Sequence, residues 1–572
     1  MKNLELARAF EQIASLLEIL GESPFKIRAY RRAARTLVEL PESVEQAAAQ
    51  GRLRELPGVG EAIESKILQY LSTGRMELLE RLKGQVPEGV LELLEIPGVG
   101  PKTARLLLEK LDVRSAEDLE AALRAGRLRT VKGLGARAEQ SIREGMERWK
   151  ALRGRFSLPQ LLAAAEPLAA GVAGRDGVTR VTLGGAVRRC DEVGSGVELV
   201  VGAHHVSRAL ASLQDFGEPE PGPWEETWRV ARDGPTGVPV TVWVVPDGRF
   251  AAACLTSTGP AGHVEGLVRR LAGRGLSWHD GRILRADGAE QEVDEEEDLY
   301  RLAGLPWIAP ELRWGEDELE LAERGLLPDR LVEVEDIRGD LHVHTRESDG
   351  TASLPEMAEA ARARGLSYLA ITDHSPSLTV ARGLSVERLE AQLRRIENLD
   401  GPPGLRVLSG TEVDVHPDGH LDYPDEVLAR LDVVVASIHT HFRMSDPEMT
   451  RRLVAACESP WVHILGHPTG RLLGRRDPYP VDLEAVLRRA AETGTAVEIN
   501  ASPDRLDLSP AWARQARRLG VRLVISTDAH SPAQLAFMRY GVLVARRAGL
   551  GPGDLLNTLR VEEVLARLKG GS

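Results

Sequence analysis

Residues 336–572 alternate between two hydrophobic patterns. Short apolar runs typical of buried strands and amphipathic stretches typical of helices follow one another. The strand-like runs start at Tyr368, Val433, Ala496 and Arg522, and the helical stretches cover residues 354–364, 482–493 and 511–519. This alternation predicts a barrel of parallel strands, in which side chains at the strand C-terminal ends converge.

The first 150 residues show a helical pattern, since apolar residues from Leu4 to Leu17 recur with a 3.6-residue period. One motif occurs here three times, each time before an Ala-rich amphipathic stretch: Leu56-Pro-Gly-Val-Gly60, Ile96-Pro-Gly-Val-Gly100 and Val131-Lys-Gly-Leu-Gly135. Its glycines permit a tight hairpin and leave backbone N–H groups for a phosphate at the next helix. The motif predicts helix-hairpin-helix units, and three ordinary helix turns are the alternative. Such units hold DNA by its backbone, here through Gly58, Gly60, Gly98, Gly100, Gly133, Gly135 and Lys102.

Length and composition indicate the number of domains and the class of protein, but they do not indicate the function. A chain of 572 residues is long enough for three or four domains. The net charge is −13, but residues 1–150 carry 25 basic and 23 acidic side chains, so charge does not decide whether DNA is a partner. The three cysteines are too few for a disulfide framework, and the sequence has neither a membrane-length apolar run nor the apolar core of a signal peptide. These features predict a cytoplasmic protein that contacts no membrane.

Side chains of metal-ligand type stand at or just past the strand-like runs. His342 and His344 are two residues apart, so that a strand would place both imidazoles on one face. A single histidine is more often a core or surface residue, but six of the chain's 14 histidines at equivalent points favour a metal site. The other candidates are Asp349, His374, Glu412, His439, His467, Asp528 and His530.

Arginines follow one of these candidates closely. Arg471, Arg475 and Arg476 come just after His467 and are predicted to clamp phosphate oxygens, although a solvated loop is the alternative.

These motifs resemble the PHP (polymerase and histidinol phosphatase) phosphoesterase domain, and the chain resembles bacterial family X DNA polymerases (PolX) over nearly its full length. The resemblance implies a helical helix-hairpin-helix region, an α+β nucleotidyltransferase-like palm and thumb, and a distorted (β/α)7 TIM-like barrel. The implied boundaries are 1–80 for a lyase-like domain with the first hairpin, 81–150 for a fingers-like DNA-binding domain, 151–315 for palm and thumb, 316–335 for a linker and 336–572 for the PHP domain.

The resemblance also implies how the candidate ligands are shared among up to three ions. His342, His344, Glu412 and Asp528 would hold the first, Glu412 with His439 and His467 the second, and Asp349, His374 and His530 the third. Imidazole-rich sites suit Mn²⁺, Zn²⁺ or iron better than Mg²⁺, and Mn²⁺ or Zn²⁺ is predicted here. The implied chemistry is phosphoester hydrolysis, with Glu412, His439 and Arg471 as catalytic residues.

The middle of the chain departs from the family pattern. Family X polymerases hold two Mg²⁺ ions with three carboxylates, and the register here puts Gly196, Glu198 and Thr241 at those positions and Ala186 at a serine. Polymerase activity is therefore predicted to be lost or very weak, with Mg²⁺ unlikely to bind. In the alternative, the register is wrong and Asp191, Glu192 or Glu198 substitutes.

Lys66 falls on the Schiff-base lysine of the family's 5′-deoxyribose-phosphate lyase domain. It would be a nucleophile if neighbours such as Lys26 lowered its pKa, whereas most exposed helix lysines are only solvated charges.

Together these features predict a monomeric Mn²⁺- or Zn²⁺-dependent 3′-5′ exonuclease that acts on gapped DNA or 3′ ends in base-excision repair. The alternatives are an active gap-filling polymerase with proofreading, a small-molecule phosphatase of the PHP type, and a non-enzymatic DNA-binding scaffold.

Overall fold

The computed structural model describes residues 2–40, 43–234, 237–399 and 401–569. The chain divides into two compact units, Met1–Arg153 and Gly154–Ser572. No helix within the described ranges is long and apolar enough to cross a membrane.

The first unit is built from helices around a single apolar core that includes Phe10, Leu53, Ile67 and Leu107. Its α-helices are Lys2–Ile19, Pro24–Glu39, Val44–Ala49, Glu61–Thr73, Glu77–Lys83, Glu88–Leu93, Pro101–Leu111, Ala116–Arg124 and Ala136–Leu152, and its 3₁₀ turns are Leu53–Glu55 and Leu128–Thr130.

The three glycine motifs form the predicted hairpins. Gly58, Gly98 and Gly133 have φ angles of 82°, 89° and 102°, a region that favours glycine because a Cβ would clash with the backbone. The second glycine of each motif caps the next helix: Gly60 precedes Glu61–Thr73, Gly100 precedes Pro101–Leu111, and Gly135 precedes Ala136–Leu152. The helix-hairpin-helix prediction is confirmed.

Residues 154–315 of the second unit, here called the middle domain, combine a mixed five-stranded sheet with helices. The sheet has the spatial order Arg180–Leu183, Val197–Ala203, Pro239–Pro246, Trp228–Asp233, Glu220–Pro221, and only its second and third strands pair in parallel. Two small sheets join Phe156–Ser157 with Val193–Gly194, and Ser277–His279 with Arg282–Leu284 and Glu290–Gln291. The helices are Leu158–Ala173, Gly185–Arg189, Val206–Ser212, Phe250–Thr258, Ala261–Gly273 and Glu296–Ala303, with 3₁₀ turns at Gln214–Phe216, Asp247–Arg249 and Pro310–Leu312.

Residues 336–569, the barrel domain, contain seven parallel strands paired in chain order, as predicted. They are Gly339–Val343, Tyr368–Ile371, Arg406–Asp414, Val433–Ser437, Ile464–Leu465, Ala496–Asn500 and Leu523–Ser526. A parallel bridge between Val343 and Ala529 brings the first strand against the chain that follows the last strand. Six of the seven strands are buried along their whole length because helices cover the sheet. The third strand, Arg406–Asp414, is exposed at its first residue and buried in its second half.

The barrel helices are Leu354–Ala363, Val386–Glu397, Asp425–Leu428, Asp446–Glu458, Leu483–Thr493, Pro510–Arg518, Met538–Arg547 and Val561–Lys569. Shorter 3₁₀ turns lie at Val334–Asp336, Thr379–Ala381, Pro532–Phe537, Pro552–Asp554 and Leu556–Thr558. In the linker, one short helix covers Glu318–Glu323. Just before it, Trp314 donates its indole N–H to the carbonyl oxygen of Arg547, 2.9 Å away.

Candidate metal centre

The structure brings all nine predicted ligands together at the C-terminal ends of the barrel strands. A register shift between Asp340 and Val343 accommodates an additional residue in the first strand. The imidazole centroids of His342 and His344 lie 5.1 Å apart, so that both rings belong to the same cluster. The other ligands lie within or after later strands, as the parallel topology requires.

The carboxylate of Glu412 forms the centre of this cluster. Its side chain is 1% exposed, so its two oxygens face protein groups rather than water. Five imidazoles lie around it: His374 Nδ1 at 2.8 Å, His342 Nε2 at 3.4 Å and His344 Nε2 at 3.6 Å from Oε2, and His467 Nε2 at 2.9 Å and His439 Nε2 at 3.2 Å from Oε1.

Two aspartates complete the cluster. Asp528 Oδ1 lies 3.1 Å from His344 Nε2, and Asp349 Oδ1 lies 3.3 Å from His530 Nε2 and 3.5 Å from His374 Nε2. Three sets have their ligand atoms all within 4.8 Å of one another: His344, Asp349, His374 and His530; His342, His344 and Asp528; His374, Glu412 and His439. These sets overlap with the predicted ones, but His344 and His374 each belong to two of them.

Buried acidic and amide side chains that the sequence analysis did not select hold the ligands in place. Glu498 Oε1 lies 2.8 Å from His342 Nδ1, and Asp414 Oδ1 lies 3.2 Å from His439 Nδ1. Asn500 donates to Asp528 Oδ2 at 3.2 Å. Such contacts orient metal-binding rings and fix their tautomers. The available signal was a charged residue, Glu498, between the apolar Val497 and Ile499 of the strand Ala496–Asn500.

The buried carboxylates and imidazoles of the cluster shift one another's pKa values. Burial raises the pKa of the Glu412 carboxyl, but His439, His342 and His374 outweigh it and hold that pKa well below its ordinary value. Burial lowers the pKa of His342, yet Glu498 and Glu412 raise it well above the usual range. Each carboxylate therefore stabilises positive charge on the neighbouring rings.

The donor set fits divalent cations. Glu412 Oε2 and the ring nitrogens His342 Nε2 and His344 Nδ1 are buried, and none has a hydrogen-bond partner among the described residues. Buried polar atoms are normally paired, so these atoms are available to a metal ion. A mixture of imidazole and carboxylate donors suits Mn²⁺ or Zn²⁺.

We expect Mn²⁺ to raise the melting temperature of protein stripped with EDTA, by the equivalent of about 2.7 kcal/mol at a hundredfold excess over Kd. The gain should be larger at pH 8 than at pH 6. Burial lowers the pKa values of His374 and His439, but Glu412 outweighs it and raises them to about 10 and about 9. Their protons compete with the cation, and raising the pH weakens that competition.

The same raised pKa values stabilise the metal-free fold below the unfolded histidine value, and this stability is lost as the pH rises toward 9 to 10. The matched variant for the melting experiment is His342→Ala, which should show a smaller Mn²⁺-dependent shift because it removes a ligand from one of the three sets. A shift equal to that of the wild type would place the cation elsewhere.

The arginine at the metal cavity is not one of those predicted. A cavity of about 230 Å³ beside the cluster is lined by Arg505, whose Nε lies 3.5 Å from Asp528 Oδ2. Arg471 points away from this cavity toward Glu192 of the middle domain, because its guanidinium is held there by Glu192 and by loop carbonyls. Arg475 pairs loosely with Asp504, and Arg476 stacks over the Phe442 ring.

Two of the four positions expected to be degenerate lie on the five-stranded sheet. Glu198 and Thr241 are direct partners on its two parallel strands. Burial raises the pKa of Glu198, whose Oε2 accepts a hydrogen bond from the Trp243 indole at 3.3 Å. A Cβ at Gly196 would lie 2.6 Å from the carbonyl oxygen of Pro239, so this backbone leaves no room for an aspartate. Ala186, in the helix Gly185–Arg189, offers no hydroxyl.

The alternative carboxylates are engaged elsewhere. Asp191 pairs with Arg189 at 2.5 Å and with Arg547 at 2.8 Å, and Glu192 pairs with Arg471. Neither carboxylate is left free to replace a lost metal ligand.

In the first unit, Lys66 lines a separate cavity of about 730 Å³ together with Tyr30 and Arg81. Burial and the charge of Arg81 lower its pKa, whereas Lys26, the neighbour expected to do this, pairs with Glu22 at 3.0 Å. The DNA-binding candidate Lys102 is exposed in the first turn of the helix that follows Gly100.

Models of known domain families match four parts of the chain. They are a helix-hairpin-helix domain at residues 1–76, a SAM-like helix-hairpin-helix tandem at 90–148, a DNA polymerase beta thumb at 253–314 and a PHP domain at 340–502.

Curated relatives of two kinds are similar to this chain. The DNA polymerase/3′-5′ exonuclease PolX of Bacillus subtilis (strain 168) is 32% identical over 581 residues, which cover 100% of both chains. Probable phosphatases of Thermoanaerobacter sp. (strain X514) and Syntrophotalea carbinolica are 32% and 31% identical over 38% of this chain and over 89% and 90% of their own lengths. The similarity to the Bacillus subtilis protein therefore covers the whole chain, whereas the similarity to the phosphatases covers 38% of it.

Proposed function

The chain belongs to the bacterial PolX family of DNA polymerase/3′-5′ exonucleases, and on that premise we propose that it is a phosphoesterase that removes nucleotides from DNA 3′ ends. The convergence of nine ligand-type side chains, with Glu412 at their centre, carries this proposal. We assign the hydrolysis to the barrel domain, and DNA binding to the hairpins of residues 1–150, whose glycines present backbone N–H groups at helix starts.

The barrel residues have separate tasks in this reaction. The nine ligands would hold Mn²⁺ or Zn²⁺, which when bound supply Lewis acidity and an activated water. Glu498 and Asp414 keep His342 and His439 oriented through their second ring nitrogens. Arg505 offers its guanidinium donors to the phosphate oxygens at the cavity.

An apolar edge of the same cavity suits the nucleoside. Leu378, Val380 and Ala381 line it, and the Val380 side chain is 90% exposed at its mouth. We assign these side chains to contact with the sugar or base of the terminal nucleotide.

We further propose that the middle domain keeps the polymerase scaffold without nucleotidyl transfer. One carboxylate of three remains, it bonds to Trp243, and the backbone at Gly196 excludes a replacement. A 3′-end hydrolase without polymerase activity would trim gapped or damaged ends during base-excision repair, as a monomer.

The test of this function is the fate of a 5′-labelled oligonucleotide incubated with Mn²⁺. We expect a ladder of shortened products with release of mononucleotides, and slow turnover of a small phosphomonoester. Rapid hydrolysis of the phosphomonoester with intact DNA would instead identify a small-molecule phosphatase. No hydrolysis of either substrate would leave only a DNA-binding scaffold.

A second activity is supported by the cavity around Lys66. Since burial and Arg81 lower the pKa of this amine, more of it is unprotonated and nucleophilic at neutral pH. We expect borohydride to trap the protein covalently on DNA with a 5′-deoxyribose phosphate, and Lys66→Ala to reduce trapping at least tenfold. The matched control is Lys83→Ala, a half-buried lysine at the end of the helix Glu77–Lys83 that does not line this cavity. Equal trapping by wild type and Lys66→Ala would exclude Lys66 as the nucleophile.

A further inference from the structure

Arg471 connects the middle domain to the loop that carries Arg505. Its Nη2 contacts the carboxylate of Glu192, and the two side chains are only 12% and 22% exposed. The same guanidinium donates from Nε to the carbonyl oxygen of Arg505 at 3.0 Å and from Nη2 to that of Leu506. One planar group therefore binds an acid of one domain and two backbone carbonyls of the other.

The loop that receives these bonds needs external support. It lies between the strand Ala496–Asn500 and the helix Pro510–Arg518, and Leu506 within it has a φ angle of 46°. A leucine in this region is unfavourable and persists when surrounding contacts hold it. Arg505, one residue earlier, reaches the metal cavity beside Asp528. The position of its guanidinium thus depends on a loop that Arg471 fixes.

Other contacts besides Glu192–Arg471 hold the middle domain against the barrel domain. Arg547 pairs with Asp191 at 2.8 Å and donates to the carbonyl oxygens of Glu311 and Arg313 at 3.0 Å and 2.9 Å. Arg546 contacts the Glu311 carboxylate at 2.9 Å and 2.7 Å through two nitrogens. Removing the carboxylate of Glu192 leaves these bonds in place.

We propose that Glu192 of the middle domain is a positioning residue of the hydrolytic site: it orients Arg471, which holds the loop of residues 502–507 so that Arg505 meets the substrate phosphate. The inference rests on the proposed phosphodiester hydrolysis. It gives the middle domain a task in that reaction that requires no polymerase chemistry.

The kinetic test uses bis(p-nitrophenyl) phosphate and Mn²⁺, because this diester is too small to be held by the DNA-binding surfaces. Glu192→Ala should raise KM about tenfold and change kcat less than threefold, since Arg505 binds the phosphate in ground state and transition state alike. Glu192→Gln should recover part of the loss, because its amide oxygen still accepts from Arg471. Arg505→Ala should show the same KM effect, and the double variant should lose no more than Arg505→Ala alone.

The matched control is Glu166→Ala, which removes another ion pair between the two domains, that of Glu166 with Arg539. It should leave KM unchanged. The proposal would be overturned if the KM effects of Glu192→Ala and Arg505→Ala multiplied in the double variant, because the two residues would then act independently. It would also be overturned if Glu192→Ala had the same KM and kcat as Glu166→Ala.

A second readout does not depend on activity. In metal-free protein, hydrogen exchange should be faster in Glu192→Ala than in wild type for the amides of Arg505 and Leu506, which bond to the carbonyl of Ser502 at 2.9 Å and 3.0 Å. Glu166→Ala should not change it. If exchange in Glu192→Ala equals that of wild type, Glu192 does not hold the loop through Arg471, even if KM rises. If wild type hydrolyses no phosphodiester, the proposed function fails, while this exchange measurement still decides whether Glu192 holds the loop.

Discussion

Substitution of Glu412 by glutamine is expected to lower Mn²⁺-dependent 3′ exonuclease activity on the order of 10³-fold, because loss of groups that only orient metal ligands already costs about 10- to 100-fold. Glu412 does more than orient, since five imidazoles lie within 3.6 Å of its two oxygens. A neutral amide of the same size removes the charge that draws cations into the cluster. The measurement is the initial rate of shortening of a 5′-labelled strand.

Glu498→Gln is the graded comparison. This carboxylate contacts His342 Nδ1 and lines no part of the cavity, so its loss should cost about 10- to 100-fold. The matched surface control is Glu390→Gln, which removes only an ion pair with Arg430 on the outside of the barrel. If Glu412→Gln retained more activity than Glu498→Gln, Glu412 would not be the central ligand.

Restoring the two missing carboxylates should not restore a polymerase. We expect Gly196→Asp/Thr241→Asp to extend no primer with Mg²⁺ and dNTPs, because the new side chain at position 196 would start 2.6 Å from the carbonyl oxygen of Pro239. Relief of that overlap should cost about 1–3 kcal/mol of stability, as overpacking does elsewhere. Melting curves of Gly196→Asp and Thr241→Asp separately should assign the destabilisation to the first change.

The background for this experiment is His342→Ala/His344→Ala, so that degradation cannot mask extension. Template-directed extension by the four-substitution variant would show that the palm still accommodates a metal pair. It would also show that polymerase activity is absent because two carboxylate side chains are missing, and not because the backbone excludes them.

Much of the architecture could be predicted because short stretches of sequence determine it. The hairpins follow from glycine positions that require a positive φ, and Gly58 and Gly98 have one. The barrel follows from apolar runs whose lengths match its strands, such as Val433–Ser437. The ligands could be found because parallel strands place their C-terminal ends together, so each histidine carried its own positional signal.

The residues that were missed depend on contacts distant in sequence. Nothing in the local sequence distinguishes Arg505 from Arg471. Arg505 lines the cavity, whereas Arg471 contacts Glu192, which is 279 positions away in the sequence. The prediction favoured Arg471 because it follows His467, but sequence proximity does not decide which way a loop side chain points. The assignment of His374 to two ligand sets likewise follows from its place between Asp349 and Glu412, which only the folded barrel determines.

The most direct test of a 3′-end hydrolase with an inactive polymerase is the fate of a 5′-labelled primer in a one-nucleotide gap, with Mn²⁺ and all four dNTPs. We predict that wild type shortens the primer, and that His342→Ala/His344→Ala leaves it at its original length. Extension of the primer by the double variant would contradict the account, because it would show that other carboxylates hold the polymerase metals.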